Sequence, residues 1–157
     1  MRTLSVPSTV LCMCSGYFTP IDSVSTPVPA TPGFSAPAFG SPTRKVRPQG
    51  RAEDQIAVGT KDGRIFIVSG LNILLYANVG TRITNIRAVR GSYDNCDAVV
   101  CSGNFNYLSI LQDQNEIARY RTHDWVHTFD IVTREDASKY IFVGCLDSKI
   151  EILKLEI

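Results

Sequence analysis

The chain has 157 residues, a hydrophobic share of 44% and a formal net charge of +1, so it can form one ordinary domain with a core. It has no run of 18 apolar residues, which predicts no membrane span. Residues 1–51 hold five bases and one acid (about +4), and the rest hold eleven bases and fourteen acids (about −3). In that second part, lysine and arginine are scattered singly. This pattern indicates a solvated surface and no nucleic-acid partner.

The first third of the chain is rich in proline, serine and threonine. All eight prolines lie within residues 1–48. Proline disrupts strand pairing and helix interiors, while serine, threonine and glycine add chain entropy. The sequence therefore predicts a disordered basic tail over residues 1–52 and a folded part over 53–157. Residues 1–17 also resemble a targeting peptide weakly, although the apolar patch is short. A further alternative is that this stretch is not native coding sequence.

The tail contains four hydroxyl residues that directly precede proline. Each is a candidate for proline-directed phosphorylation, which would add about −1.5 to −2 charge near the basic residues of 44–51. The alternative is chance juxtaposition in a linker of biased composition. The four candidates are Thr19, Thr26, Thr31 and Ser41.

The remainder of the chain is repetitive. Three segments that begin at Gly59, Ser102 and Gly144 align without gaps at offsets of 43 and 42 residues. Each follows a short apolar run and leads into alternating apolar and polar positions, which is typical of a hairpin with one buried face. Asp62-Gly63 and Asp147-Ser148 have the composition of the hairpin turn.

A second set of segments keeps the same spacing. Residues 83–89 match residues 126–132 at an offset of 43, so each period holds four short strands. Four antiparallel strands in about 40–45 residues are typical of a β-propeller blade. The predicted fold is all-β, an incomplete β-propeller of four-stranded antiparallel blades at about 56–77, 83–120 and 126–157. The predicted strands are 56–59, 64–68 and 72–77; 83–89, 97–101, 107–111 and 116–120; and 126–132, 139–144 and 149–155.

These repeats resemble the WD-repeat propellers. His123 precedes the first strand of a blade and Asp147 occupies a strand turn, where that family often keeps a histidine and an aspartate. The resemblance implies a buried structural network of His123, Asp147 and the corresponding Asp62. Leu153 replaces the usual tryptophan, and Phe105 stands where the aspartate is expected, so the repeat resembles a divergent propeller of the WD or quinoprotein-like type. The G-T-x-D-G-x-I turn is also similar to those of propellers in ciliary trafficking complexes.

The predicted ring is incomplete. Closed propellers have about four to eight blades, so ten strands cannot close a ring alone. The unpaired edges of such an array invite pairing with another chain. Three explanations follow: a fragment or truncated gene model of a larger protein, a subunit that completes its ring by association, or an open array held by a partner.

The chain lacks the common sequence signatures of catalysis. His123 and His127 lie four residues apart on an extended segment, which does not direct both rings to one metal ion. The five cysteines are odd in number and lack CxxC spacing, which indicates reduced thiols and a cytoplasmic location. No phosphate loop, G-x-S-x-G or H-E-x-x-H motif occurs. The sequence thus predicts no enzyme activity, metal or cofactor. We interpret four loop carboxylates as solvated: Asp94, Asp97, Glu135 and Asp136.

The function predicted from the sequence is a non-catalytic protein-interaction scaffold. Its partners are expected to be other proteins, including further blades or subunits. The alternative is part of a propeller enzyme or a quinoprotein-like domain with a cofactor on the ring axis. Aromatic residues near loops are the anchors that interfaces favour. The candidate partner contacts are Tyr93, Phe105, Tyr107 and Trp125.

Overall fold

A computed structural model describes residues 3–19, 55–91 and 96–155, and this part of the chain is all β. It contains no helix that could span a membrane. The strands form three antiparallel sheets in which consecutive strands are neighbours: β1 to β4, β5 to β8, and β9 to β11. The bounds are β1 Val10–Gly16, β2 Gln55–Thr60, β3 Arg64–Ser69, β4 Asn72–Asn78, β5 Ile83–Val89, β6 Ala98–Gly103, β7 Tyr107–Gln112, β8 Asn115–Arg121, β9 Val126–Thr133, β10 Lys139–Cys145 and β11 Ile150–Leu155.

The ten strands predicted from the repeats are confirmed, each to within two residues at either end. Gly63 and Ser148 have positive φ values of 85° and 65°, as the predicted turns between β2 and β3 and between β10 and β11 require. The hairpin between β7 and β8 closes on Asp113 and Gln114, with φ values of 48° and 66°. Two successive left-handed residues match the right-handed twist of the strands that they join.

The eleventh strand, β1, lies within the segment predicted to be disordered. That prediction is wrong for Val10–Gly16, which pairs antiparallel with β2 so that Met13 faces Val58 and Cys14 faces Ala57. The physical reason is local: the proline-free stretch between Pro7 and Pro20 can donate every ladder hydrogen bond. The first sheet thereby gains the strand that the repeat pattern lacked. Residues 20–54 lie outside the described residues.

The second sheet is buried on both faces. One apolar cluster joins it to the first sheet and includes Ile65, Ile86 and Val99. The other joins it to the third sheet and includes Ile110 and Phe129. Every residue of β6 is consequently buried, which explains the continuous apolar run in that strand.

The sheets are stacked face to face, with their first strands adjacent: β1 contacts β5, and β5 contacts β9. This is the arrangement of blades around a propeller axis, with the first strand of each blade innermost. The described residues therefore form an incomplete β-propeller of three blades. The first two blades have four strands each, and three strands of the third are described.

Candidate interaction surface

One face of the third sheet carries a group of exposed apolar side chains and is covered by no described strand. We call it the trailing face and define it by Val132, Phe142, Ile150 and Ile152. The strand register places Ile150 and Ile152 beside Phe142, because Phe142 pairs with Ile152 and Ile150 pairs with Gly144. On β9, Val132 lies diagonally from Phe142, whose direct partner is Asp130, so this charged residue lies on the same face. Ile150 is 74% exposed and Ile152 is 60% exposed. Isolated exposed apolar residues are ordinary, but a contiguous group marks a binding surface.

The repeat shows how unusual this exposure is. Ile150 and Ile152 occupy the positions that Leu108 and Ile110 hold 42 residues earlier. Leu108 and Ile110 are each 0% exposed, because the third sheet packs on them. The pair another 43 residues earlier, Ile65 and Ile67, is buried against the second sheet. The trailing face therefore has the composition of a sheet-to-sheet interface.

The opposite end of the array also exposes apolar residues. We call the outer side of the first sheet the leading face and define it by Met13, Ile56 and Leu75. Met13 is 60% exposed and Ile56 is 38% exposed. Both lie on one side of the sheet, because Met13 pairs with Val58 and Ile56 precedes Val58 by two residues. Val58 and Phe66 lie on the same side, between Met13 and Leu75, and both are buried, so the centre of the leading face is already covered in the single chain.

The predicted blade network forms only in part. His123 Nε2 lies 3.9 Å from Asp147 Oδ2, but the histidine side chain is exposed. The same carboxylate oxygen lies 2.8 Å from Lys149 Nζ. The hydrogen bond with Lys149 is the main reason why the pKa of Asp147 is lowered. The buried network implied by the WD resemblance is thus wrong for His123, because Lys149 competes for the aspartate at the surface.

Asp62 acts within its own turn. The Thr60 hydroxyl donates to Asp62 Oδ1 at 2.6 Å, and Arg64 Nε lies 3.0 Å from Oδ2. The Thr60 hydrogen bond is the largest cause of the lowered pKa of Asp62. These contacts fix the hairpin that Gly63 closes, so they position β3 and do not form a site for chemistry.

The four candidate aromatic contacts differ in their environment. Phe105 is buried and stacks on Tyr107 with ring centroids 4.3 Å apart, so Phe105 is a core residue and its prediction as a contact is wrong. Tyr107 is half-buried and lies under the guanidinium of Arg119, 4.4 Å from the ring centroid. Trp125 is exposed at one end of the third sheet. Tyr93 lies outside the described residues.

Thr19 is not accessible to a kinase in this fold. It is buried, and Gln55 Nε2 donates to its hydroxyl oxygen at 3.2 Å and to its carbonyl oxygen at 2.8 Å. Gln55 Oε1 accepts from the backbone N–H groups of Phe18 and Thr19 at 2.7 Å and 2.9 Å. The prediction of phosphorylation at Thr19 is therefore wrong for the folded chain. Thr26, Thr31 and Ser41 lie outside the described residues.

The interpretation of Asp97 as a solvated loop carboxylate is wrong. Asp97 is buried, and its oxygens accept from the backbone N–H groups of Tyr17 at 2.9 Å and of Gly91 at 3.1 Å. Asp136, in contrast, is exposed and accepts from Ser138. Sequence reasoning missed both Asp97 and Gln55. The available signal was a polar residue directly before each apolar run, which begins at Ile56 in β2 and at Ala98 in β6.

The described residues offer little reactive chemistry. Within residues 3–19, 55–91 and 96–155, no group of three or more histidine, cysteine or acidic side chains is arranged to hold a metal ion. Burial raises the pKa of Cys12 to about 11 and the pKa of Cys14 and Cys101 to about 12. A protonated thiol is a poor nucleophile, so these cysteines are packing residues at neutral pH.

The fold is similar to that of two solved structures. The first is "Crystal structure of BBS1N in complex with ARL6DN, soaked with lead", with a TM-score of 0.56 and 14% identity over 99% of this chain and 40% of that chain. The second is the same complex soaked with mercury, with a TM-score of 0.50 and 13% identity over 100% of this chain and 42% of that chain. No protein family and no curated protein matches the sequence. The chain spans about two-fifths of the solved chains, and the likeness shows the fold, a β-propeller.

Proposed function

We propose that this protein is a non-catalytic interaction scaffold of WD-like blades whose docking surface is the trailing face. The observation that carries the proposal is the exposure of Ile150 and Ile152 at positions that are fully buried in the preceding blade. Complete burial of a leucine or isoleucine side chain is worth about 1.5–3 kcal/mol. A partner that packs an apolar β-sheet on this face would gain that free energy at several adjacent positions.

Two further observations support a protein partner. The solved domain that this fold resembles is in complex with ARL6DN. In this chain, the carboxylates of Asp62 and Asp147 are engaged in turns, and the thiols of Cys12 and Cys14 are protonated at neutral pH. The alternative of a cofactor-binding propeller enzyme stays a prediction, which a chromophore or metal that copurifies with the protein would support.

The test is site-specific photocrosslinking. A benzophenone amino acid replaces Ile150, each crosslinked protein is identified by mass, and its affinity is measured with purified components. We expect Ile152→Glu to weaken that affinity at least about tenfold, because it places a charge in an apolar interface. Leu71→Glu is the matched control, since Leu71 is as exposed as Ile152 but lies in the turn between β3 and β4. Equal loss in both variants, or no loss in either, would contradict the proposed docking surface.

Two predictions from the sequence belong to this proposal and remain to be tested. They are the cytoplasmic location and the division into a tail of residues 1–52 and a blade region of residues 53–157, apart from Val10–Gly16, which form β1 of the first sheet. Limited proteolysis tests the division. We expect cleavage between residues 20 and 54, after which the peptide that contains β1 stays bound to β2 until the protein is denatured. Cell fractionation tests the location.

A further inference from the structure

We infer that Trp125 and Leu146 form a second docking site, which binds an acidic segment of another protein that carries a large apolar side chain. We call these two residues the rim pair. Trp125 directly precedes β9, and Leu146 directly follows β10, so both lie at one end of the third blade. Their side chains are 49% and 56% exposed. The site is separate from the trailing face, so the inference does not rest on the proposed function.

The rim pair is joined by a backbone hydrogen bond that recurs in all three blades. In each blade, the residue that directly follows the second strand donates its N–H to the carbonyl oxygen of the residue directly before the first strand. The three pairs therefore occupy the same place in successive blades, and their side chains can be compared. The donors and acceptors are Lys61 and Thr9 at 2.9 Å, Asn104 and Arg82 at 3.1 Å, and Leu146 and Trp125 at 3.0 Å.

The comparison shows that exposure at this place does not depend on a missing neighbour. Arg82 and Asn104 are exposed although the third sheet packs on the second. Thr9 and Lys61 are exposed although the second sheet packs on the first. These two pairs are polar, as is usual for residues that face solvent. Of the three pairs, the rim pair alone consists of two large apolar side chains, and adjacent exposed apolar residues mark an interaction site.

The loop that carries Trp125 is held in place by hydrogen bonds on both sides. The Thr122 hydroxyl donates to the Asp124 carbonyl oxygen at 2.8 Å, and the His123 backbone N–H donates to Glu151 Oε1 at 2.7 Å. The Trp125 carbonyl itself accepts the bond described above. Because the backbone is already fixed, docking of the indole orders little additional chain. Tryptophan is also enriched among the residues that dominate binding energy at protein interfaces.

The unpaired charges at this end of the blades are positive. Lys61 and Arg82 belong to the equivalent pairs, and Arg121 ends β8 opposite Tyr107, which begins β7. All three basic side chains are exposed, and none forms an ion pair with a described carboxylate. They are therefore available to a partner of opposite charge.

The carboxylates at the same end are already engaged. Asp62 lies 3.0 Å from Arg64, and Asp147 lies 2.8 Å from Lys149. Lys149 also interacts electrostatically with Asp124, and Glu151 accepts the His123 N–H. An acidic partner thus meets three free cations, while most of the negative charge beside the rim pair is neutralised within the chain.

A peptide fits this arrangement better than an anionic lipid surface does. Asp124 directly precedes Trp125, and Asp147 directly follows Leu146. A membrane that took up both apolar side chains would bring these carboxylates against its own negative charge. A peptide can place its acidic groups opposite the basic side chains and its apolar group on the rim pair.

The experiment uses the intrinsic fluorescence of the site. Trp125 is the only tryptophan of the chain, so its emission reports on docking directly. The probes are short peptides without tryptophan, selected from a random library on the immobilised full chain. We expect the selected peptides to be acidic, to contain a large apolar residue and to shift the emission of Trp125 to shorter wavelengths. Their affinity should fall as salt rises from about 0.1 to about 1 M, because the Debye length shrinks from about 10 to about 3 Å.

The decisive variant exchanges the rim pair for the pair of the second blade. Trp125→Arg combined with Leu146→Asn introduces the residues that stand at the equivalent positions 82 and 104. We expect the affinity measured by calorimetry to fall at least about tenfold, although the variant gains a positive charge. Leu71→Asn is the matched control, because Leu71 is 60% exposed but lies at the opposite end of the blades, between β3 and β4.

A second set of variants tests the charge. Arg82→Gln and Arg121→Gln should each weaken peptide binding, whereas Arg90→Gln should not, since Arg90 is exposed at the opposite end, after β5. Thermal unfolding establishes that each variant is folded, and Leu146→Ala replaces the double variant if that protein is not. Loss of binding without loss of stability identifies a contact.

Several results would overturn the inference. They are selection of no peptide or of peptides without acidic residues, an unchanged Trp125 emission, and equal affinity for the double variant. Binding to vesicles of phosphatidylserine and phosphatidylcholine that requires the rim pair would assign the site to a membrane. If Ile152→Gln abolishes peptide binding but the double variant does not, the trailing face is the docking surface: the proposed function stands and the rim site does not.

Discussion

Tyr17 and Asp97 exchange two hydrogen bonds: the Tyr17 backbone N–H donates to Asp97 Oδ2 at 2.9 Å, and the Asp97 backbone N–H donates to the Tyr17 carbonyl at 2.6 Å. The contact joins the segment after β1 to the residue before β6, in the next blade. A buried carboxylate that accepts backbone N–H groups contributes more than a neutral bond, and its loss leaves those donors unpaired. Attachment of the N-terminal strand therefore depends on a side chain 80 residues away.

We expect Asp97→Ala to lower the free energy of unfolding by about 2–3 kcal/mol, because the N–H groups of Tyr17 and Gly91 lose a charged acceptor. Urea denaturation measures the loss, and hydrogen exchange at Tyr17 should accelerate. Asp136→Ala is the control, because Asp136 is exposed and its substitution should cost less than about 0.5 kcal/mol. Equal costs for the two variants would show that the Asp97 contact is not structural.

Gly103 permits close approach of two backbone segments at the end of β6. A Cβ atom on Gly103 would lie 1.8 Å from the Arg82 carbonyl oxygen, and backbone cannot move aside as a flexible side chain can. We expect Gly103→Ala to lower the free energy of unfolding by about 3 kcal/mol or more, which is the upper end of the range for overpacked substitutions. Gly144→Ala is the matched control, since its nearest contact is the Thr128 methyl at 3.3 Å. Thermal unfolding compares the two, and a control as unstable as Gly103→Ala would refute the backbone clash.

The prediction for Cys101 concerns alkaline pH. Burial raises the pKa of its thiol from 9.0 to about 12, so between these values the folded chain keeps a proton that the unfolded chain releases. Below about pH 9 both states hold the proton, and the thiol does not reduce the free energy of unfolding. As the pH rises from about 9 toward 12, this free energy falls by at most about 1.4 kcal/mol per pH unit. Valine occupies the equivalent buried positions 58 and 143. We therefore expect Cys101→Val to be about as stable as wild type at pH 7 and to lose less stability at pH 10–11. Urea titrations at both pH values provide the measurement, and parallel losses in the two proteins would contradict it.

The strands could be predicted because their signals are local and recur. A turn such as Asp62-Gly63 and the alternation that follows it lie within ten residues. The pairing of β1 could not be predicted in this way, because its partner β2 begins 39 residues after it ends and the intervening prolines dominate the local composition. The burial of Asp97 could not be predicted either, because it depends on the distant contact with Tyr17. An aspartate in another loop, Asp136, is exposed.

The exposure of the trailing face could not be predicted from the sequence, for a different reason. Leu108-Ser-Ile110 and Ile150-Glu-Ile152 have the same pattern, and that pattern predicts one buried face in both. Only the stacking of the sheets reveals that the second pair has no described sheet on it. The sequence thus indicates which residues need an apolar partner, and the topology shows which of them lack one.

The positions of Ile110 and Ile152 in the repeat allow a matched comparison of the same substitution. Ile110→Ala should lower the free energy of unfolding by about 2–5 kcal/mol, because it leaves a cavity in the core between the second and third sheets. Ile152→Ala should cost less than about 0.5 kcal/mol in the single copy, since the side chain is largely exposed.

Urea denaturation at low and high partner concentration adds a second readout to this pair. Association stabilises the folded state by mass action. If a partner covers the trailing face, the free-energy cost of Ile152→Ala therefore grows with the partner concentration, whereas most of the cost of Ile110→Ala does not depend on it. If Ile152→Ala is as costly as Ile110→Ala at the lowest concentration, Ile152 is already buried in the single copy and the trailing face is not a free surface.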